Sequence, residues 1–161
     1  MPSTMPDEPD TLTPAQVLDG TIEHETMLFD RRRTTPSAAR SFVAETLTHW
    51  GRTERLDDIR LCTSELTANA VLHGAPSGSQ ILVRVEMHAI VLRIEVHDGG
   101  NGRPEKREAR TTADDGRGLL LVSAVADHWG VEARQGPGKC VWAVFHQSAA
   151  PTCRCSRVPS P

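Results

Sequence analysis

Tyrosine is absent from this chain of 161 residues, and three tryptophans and three phenylalanines are all its benzenoid aromatics. So few flat rings leave no platform on which successive bases of a single-stranded nucleic acid would stack. An excess of positive charge is missing too. Lys and Arg number 18 against 21 Asp and Glu, for a net charge of −3 and a pI near 6.1. Without a basic footprint, nucleic-acid binding is not the expected main role. No apolar run approaches the ~20 residues that a membrane-spanning helix needs. The first residues, Met1-Pro2-Ser3-Thr4-Met5-Pro6-Asp7-Glu8, are acidic and proline-containing, unlike a signal peptide, so a cytoplasmic protein is expected. A disulfide framework is missing as well. Cys62 falls in an apolar helical stripe, Cys140 in a late strand, and Cys153-Arg154-Cys155 in a proline-flanked tail. Reduced thiols without a metal are the expectation, because no second Cys or His pair stands nearby in sequence to complete a zinc site.

What is present suits one soluble domain. Hydrophobic residues make up 38% of the chain, and a chain of this length buries roughly 70% of its unfolded surface. Residues 1–20 are rich in Pro, Thr and Asp and are expected to be poorly ordered. A domain over 21–147 follows, then a flexible tail over 148–161. Within the domain, 21–29 reads as a strand and Arg31-Arg32-Arg33 as a solvated basic connector. Pro36 opens a helix that carries Ala39, Phe42, Val43 and Leu47 on one face and ends at Gly51. A second helix carries Ile59, Cys62, Leu66 and Ala70 at helical spacing and ends at Gly74. Residues 80–87 and 89–97 alternate as a strand pair, with His88 near the turn. A charged stretch over 103–115 lacks periodicity and reads as a lid, or as a long surface loop. A helix over 118–127 and strands near 131–135 and 139–146 complete the domain. Hairpin-linked strands with helices between them predict an α+β fold. The expected form is a two-layer sandwich with a mixed, mostly antiparallel sheet covered on one face by helices.

Three segments carry chemistry. In the second helix, Glu65 and Asn69 are four residues apart and project from one face. Glu can take a proton from a nucleophile, and the Asn carbonyl oxygen can bind a hard cation. An isolated E-x-x-x-N pair reads more readily as two polar residues on a solvated helix face. Next, Asp98-Gly99-Gly100-Asn101-Gly102 follows a strand. A buried Asp there can accept a hydrogen bond from an exocyclic amine, and glycines permit close ligand approach; alone, the same residues make an ordinary Asx turn. Lastly, Asp114-Asp115-Gly116-Arg117-Gly118 opens a helix. Unpaired N–H groups at a helix start bind anions, and Arg117 adds a charge-assisted contact. Alone, this is a plain loop-to-helix junction.

In this order and spacing, E-x-x-x-N, D-x-G-x-G and G-x-G resemble the nucleotide-binding boxes of the GHKL, or Bergerat-fold, ATPase superfamily. They look most like those of small bacterial anti-sigma-factor serine/threonine kinases and related ATP-binding regulators. The resemblance runs roughly over 23–145. It takes in Asn69-Ala70-Val71-Leu72-His73-Gly74 after the first box, Ala126-Asp127-His128-Trp129-Gly130 after the third, and the closing strand through Trp142 and Phe145. It implies ATP and Mg²⁺ as cofactors, with Asn69 as the Mg²⁺ ligand and Glu65 as general base. Asp98 becomes the adenine reader, Gly100 and Gly102 shape its pocket, and Gly116 and Gly118, with Arg117, lie against the phosphates. It further implies a sigma factor and an anti-sigma antagonist protein as partners, and the possibility of a homodimer.

Other motifs are set aside. Gly136-Pro137-Gly138-Lys139-Cys140 is not a phosphate loop, because position 133 is Ala and Cys140 replaces Ser or Thr; it reads as a hairpin turn. Gly100-Asn101-Gly102 lacks the third glycine of a dinucleotide fingerprint, Glu105 standing in its place. No H-E-x-x-H pair exists among the seven histidines. Trp50, Trp129 and Trp142 read as packing residues. Three functions stay open: a kinase that phosphorylates an antagonist, an ATP-sensing partner-switching module without useful transfer, and a histidine phosphotransfer domain. The last ranks lowest, since the chain has no long dimerisation helix carrying an acceptor histidine.

Overall fold

Ile81, Val83, Val85 and Met87 are buried in β2 (Gln80–His88), as are Leu92, Ile94, Val96 and Asp98 in β3 (Val91–Asp98). Side chains alternate across a strand, so one face of this pair belongs to the core and the other meets solvent. The computed structural model describes residues 22–73, 79–99, 115–133 and 138–148. Within them β1 (Glu23–Asp30) pairs with β2, β5 (Lys139–His146) pairs with β3, and β4 (His128–Ala133) pairs with β5. The sheet order is β1-β2-β3-β5-β4, and every pairing among the described strands is antiparallel.

Among the described residues, three helices cover the buried face: α1 (Thr35–His49), α2 (Leu56–His73) and α3 (Asp115–Val125). Ala39, Val43 and Leu47 of α1, Ile59, Cys62, Leu66 and Ala70 of α2, and Val122 of α3 join the inward strand residues and Phe145 in one core. α2 holds Ile59, Thr63, Thr67 and Val71, whose branching at Cβ disfavours helix by a few tenths of a kcal/mol each. Burial of its stripe outweighs this, at roughly 1.5–3 kcal/mol per large apolar side chain. Thr63 and Thr67 are fully buried, and each hydroxyl donates to the carbonyl four residues back, Ile59 at 2.8 Å and Thr63 at 2.5 Å. The expected α+β two-layer fold is found. No described helix is long and apolar enough to cross a membrane. The segments 1–20, 103–114 and 149–161, expected as disordered start, lid and tail, lie outside the described residues.

Several element boundaries differ from expectation. β3 begins at Val91 rather than at residue 89: the turn is Ala89-Ile90, next to His88 as expected, and His88 itself pairs with Val91. Ala89 takes the left-handed conformation there, φ 53°, a strain that a sequence without Asn-Gly at that point does not announce. α3 starts at Asp115 and stops at Val125, short of 127. β4 begins at His128, not near 131. Both shifts at the α3–β4 junction have one cause: the Asp127 N–H donates to Val144 O at 2.9 Å, committing the chain to the sheet edge immediately after the helix.

The Asp127 side chain fastens this junction. Its Oδ2 accepts from the His146 N–H at 2.6 Å and from Arg55 Nη1 at 2.6 Å, while Arg55 Nη2 donates to Val125 O at 2.6 Å. The backbone hydrogen bond from His146, then Arg55, holds the Asp127 carboxyl down at about 2 from its ordinary 3.8. A depressed carboxyl stabilises the fold above its unfolded value, and that contribution disappears as pH falls through about 2. The shift corresponds to an upper bound near 2.5 kcal/mol, and solvent at this partly exposed group reduces it to about 1 kcal/mol. Asp127→Asn is therefore expected to lower stability by about 1–2 kcal/mol at pH 7. The gap to the parent protein should narrow between pH 4 and pH 2 in urea unfolding; a gap independent of pH would reject the ionic origin.

The solvent-facing side of the sheet is not bare. Arg84 pairs with Glu86 at 2.6 Å, Arg93 pairs with Glu95 at 2.6 Å, and Arg93 lies over the Trp142 ring at 4.6 Å. Trp50 and Trp129 pack against the core, whereas Trp142 belongs to this open face.

Candidate functional site

α2 supplies two polar side chains beside its apolar stripe. Glu65 and Asn69, one turn apart, are both half-buried next to fully packed Leu66 and Ala70. The end of the helix is held by the basic connector: Arg31 Nε donates to Val71 O at 2.6 Å. One of the carbonyls a helix end leaves without an internal partner is thereby satisfied. Arg31 is thus a structural tie and not only a solvated connector residue.

α3 packs on α2 and brings the third box to the first. A Cβ added at Gly118 would lie 2.8 Å from Glu65 Oε2, 3.6 Å from Asn69 Oδ1 and 3.7 Å from Asn69 Nδ2. The α3 backbone thus approaches the tip of the Glu65 carboxylate more closely than a Cβ allows, while the Asn69 carboxamide stays at ordinary contact distance. The first turn of α3 runs from Asp115, so N–H groups without intrahelical partners lie in the same neighbourhood. Gly116 and Arg117 belong to that turn. The Glu65 charge is felt by the stripe: burial first, and then Glu65, push the Cys62 thiol up to about 12. Cys62 is a fully buried packing residue of the stripe.

The geometry at Gly118 makes a direct prediction. The obstructing atom is the tip of a flexible side chain, so Gly118→Ala is accommodated by swinging the Glu65 carboxylate aside. Alanine also favours helix over glycine by up to about 1 kcal/mol. The variant is expected to melt no lower than the parent while losing about tenfold in any activity that depends on Glu65. A lowered melting temperature with activity intact would show that the contact is structural only.

Asp98 ends β3 and is buried, 5% exposed. It shares a strand face with Ile94 and Val96, so it lies on the helical side of the sheet, as Glu65 and Asn69 do. Its backbone carbonyl is covered by Gly138, whose φ is +111° and whose added Cβ would fall 1.9 Å from Asp98 O. Gly100 and Gly102 lie outside the described residues. Glu65, Asn69 and Gly118 are thus brought together, and Asp98 stands at the strand end on the same layer. Two contributors were missed in the sequence. Arg55 anchors the far end of α3, and no pattern marks it. Gly138 was legible as a turn residue but not as the cover of Asp98.

Comparison with known proteins agrees with this geometry. The chain belongs to the histidine kinase-like ATPase domain family, which it matches over residues 30–145. This is the GHKL type of ATPase that the three boxes resemble, and membership supports ATP as the ligand. Among solved structures, the chain is similar to the RsbU and RsbW domains of Rv1364c from Mycobacterium tuberculosis. Identity is 21% and the TM-score 0.57, covering 78% of this chain and 32% of that one. The histidine kinase domain of the Erythrobacter litoralis blue-light activated histidine kinase is 21% identical with a TM-score of 0.48, covering 69% of this chain and 60% of that one. Full-length ShkA in complex with AMPPNP is 22% identical with a TM-score of 0.47, covering 85% of this chain and 35% of that one. The chain therefore spans less than two thirds of the length of these structures. No curated protein sequence matches it.

Proposed function

We propose that this chain is an ATP-dependent protein serine/threonine kinase of the anti-sigma type, which phosphorylates an anti-sigma antagonist and sequesters a sigma factor. The observation that carries the proposal is the approach of Gly118 to Glu65 and Asn69. It sets a helix start, a carboxylate and a carboxamide around one point. Family membership and the fold shared with the RsbU/RsbW-containing protein support it.

The residues present suit Mg-ATP. Asn69 offers a hard carbonyl oxygen for Mg²⁺. The amides at the start of α3, approached closely at Gly118, suit phosphate oxygens, and the family resemblance adds Gly116 and Arg117 to that set. The buried Asp98 carboxylate suits the exocyclic amine of adenine, and the family resemblance assigns Gly100 and Gly102 to the same pocket. Mg-ATP, when bound, supplies the γ-phosphoryl group. Glu65 accepts the proton of an incoming serine hydroxyl at its carboxylate and so makes the oxygen nucleophilic. Gly118 keeps the helix start close enough for its fixed N–H dipoles to face developing negative charge. A phosphorylated antagonist would then be released, leaving the kinase free to hold the sigma factor.

Calorimetric titration of the full chain with Mg-ATP tests the pocket before any partner is known. Saturable binding is expected, weakened at least about tenfold by Asn69→Ala and by Asp98→Asn, since each removes a polar contact in a desolvated site. A parent protein that leaves millimolar ATP untouched would overturn the assignment.

A further inference from the structure

The open face of the sheet carries a second cluster, on the opposite side from Glu65 and Asn69. Glu95 and His97 alternate onto that face of β3, and His97 stands directly opposite Cys140 of β5 in the antiparallel register. His97 Nε2 lies 2.9 Å from Glu95 Oε2 and 3.6 Å from Cys140 Sγ, and one ligand atom from each residue falls within 4.8 Å of the others. We propose that Glu95, His97 and Cys140 form a binding site for a transition-metal ion of the zinc class.

The chemistry of the three atoms selects the ion. A thiolate sulfur, an imidazole nitrogen and one carboxylate oxygen form a borderline-soft set that favours zinc over magnesium or calcium. Ligand atoms ~2.0–2.3 Å from a tetrahedral zinc lie about 3.3–3.7 Å apart, and the nitrogen–sulfur separation of 3.6 Å is already of that size. A single ring nitrogen faces both the oxygen and the sulfur. A cation between the three would be held by all of them at once. Binding releases the Cys140 thiol proton to water and leaves a carboxylate and a thiolate to balance a divalent charge.

The surroundings suit this use. Arg93 Nε donates to Glu95 Oε1 at 2.6 Å, which fixes the carboxylate and leaves Oε2 toward His97. An outer partner of that kind orients a ligand and tunes its affinity. Cys140 is buried although it lies on the open face. A groove of about 440 Å³ opens beside it, lined in part by Leu82, Arg84 and Glu132, and leaves room for a water as fourth ligand. The sequence did not show the cluster because Cys140 is 43 positions from His97 and only strand register joins them.

The full chain, stripped of metal under reducing conditions, is titrated with Co²⁺ and then Zn²⁺. One equivalent should bind, with a thiolate-to-cobalt charge-transfer band and intense visible bands of tetrahedral Co²⁺, both displaced by Zn²⁺. Cys140→Ser and His97→Gln should each weaken binding by more than about 100-fold. The double variant Cys153→Ser/Cys155→Ser should leave it unchanged, as should Glu65→Ala. Circular dichroism confirms that each variant is folded, and Glu95→Gln serves if Cys140→Ser does not fold. Binding no tighter than millimolar, or a charge-transfer band that survives Cys140→Ser and disappears with the tail cysteines, would overturn the proposal. Neither result depends on ATP, whose binding is read separately.

Discussion

Alanine at position 65 is expected to slow phosphoryl transfer to a cognate antagonist by about 10²–10⁴-fold, while Mg-ATP affinity changes by less than about threefold. The first figure is the range a positioned general base contributes, equivalent to about 3–5 kcal/mol of barrier. The second follows from the roles proposed along α2, where Asn69 would supply the metal-binding oxygen and Glu65 the base. Glu65→Gln is the stricter variant, since it keeps the shape that packs against Gly118 and removes only the basicity. Both are read with γ-labelled ATP and a panel of candidate antagonists. Undiminished transfer in either variant would reject Glu65 as base. Labelling that is absent from the parent protein across the panel, with ATP bound, would favour an ATP-sensing switching module. In that case the ligand acts through its differential affinity for two conformations.

Helices and central strands were legible because their burial follows a period. Ala39, Val43 and Leu47 announced α1, and alternation through β2 and β3 announced both strands. Glu65 and Asn69 were legible because i, i+4 spacing alone puts them on one face. Gly118 was legible through the resemblance of its box to a known family, and the fold brings it against that pair. What depends on three-dimensional register was not legible. The tie from Arg31 to Val71 and the Arg55–Asp127 clamp span 40 and 72 positions, and no local pattern encodes them. The β2–β3 turn was legible near His88 but not its two residues, because a strained alanine occupies a place that Gly or Asn usually marks. The early start of β4 was missed because it is set by a backbone hydrogen bond from Asp127 to another strand.

Gly138 is where such an unseen contact should have the largest effect on stability. Two costs coincide at this position. Its φ of +111° is a conformation that L side chains rarely adopt, and a Cβ there would lie 1.9 Å from Asp98 O, 3.0 Å from Asp98 C and 3.2 Å from the Gly99 Cα. Backbone strain of about 1–3 kcal/mol adds to an overpacking cost of similar size, and the obstructing atoms are main chain that cannot swing away. Gly138→Ala is therefore expected to cost roughly 3–5 kcal/mol and to lower the melting temperature by about 10 °C. Gly51 separates the two contributions. Its φ is +67° but nothing lies within 4 Å of an added Cβ, so Gly51→Ala should cost only about 1 kcal/mol. Because relief at 138 requires the end of β3 to move, residual folded Gly138→Ala should also bind Mg-ATP more weakly, through displacement of Asp98. Gly51→Ala should bind it normally. Equal destabilisation by the two substitutions would mean that φ alone matters, and that Gly138 does not hold Asp98 in place.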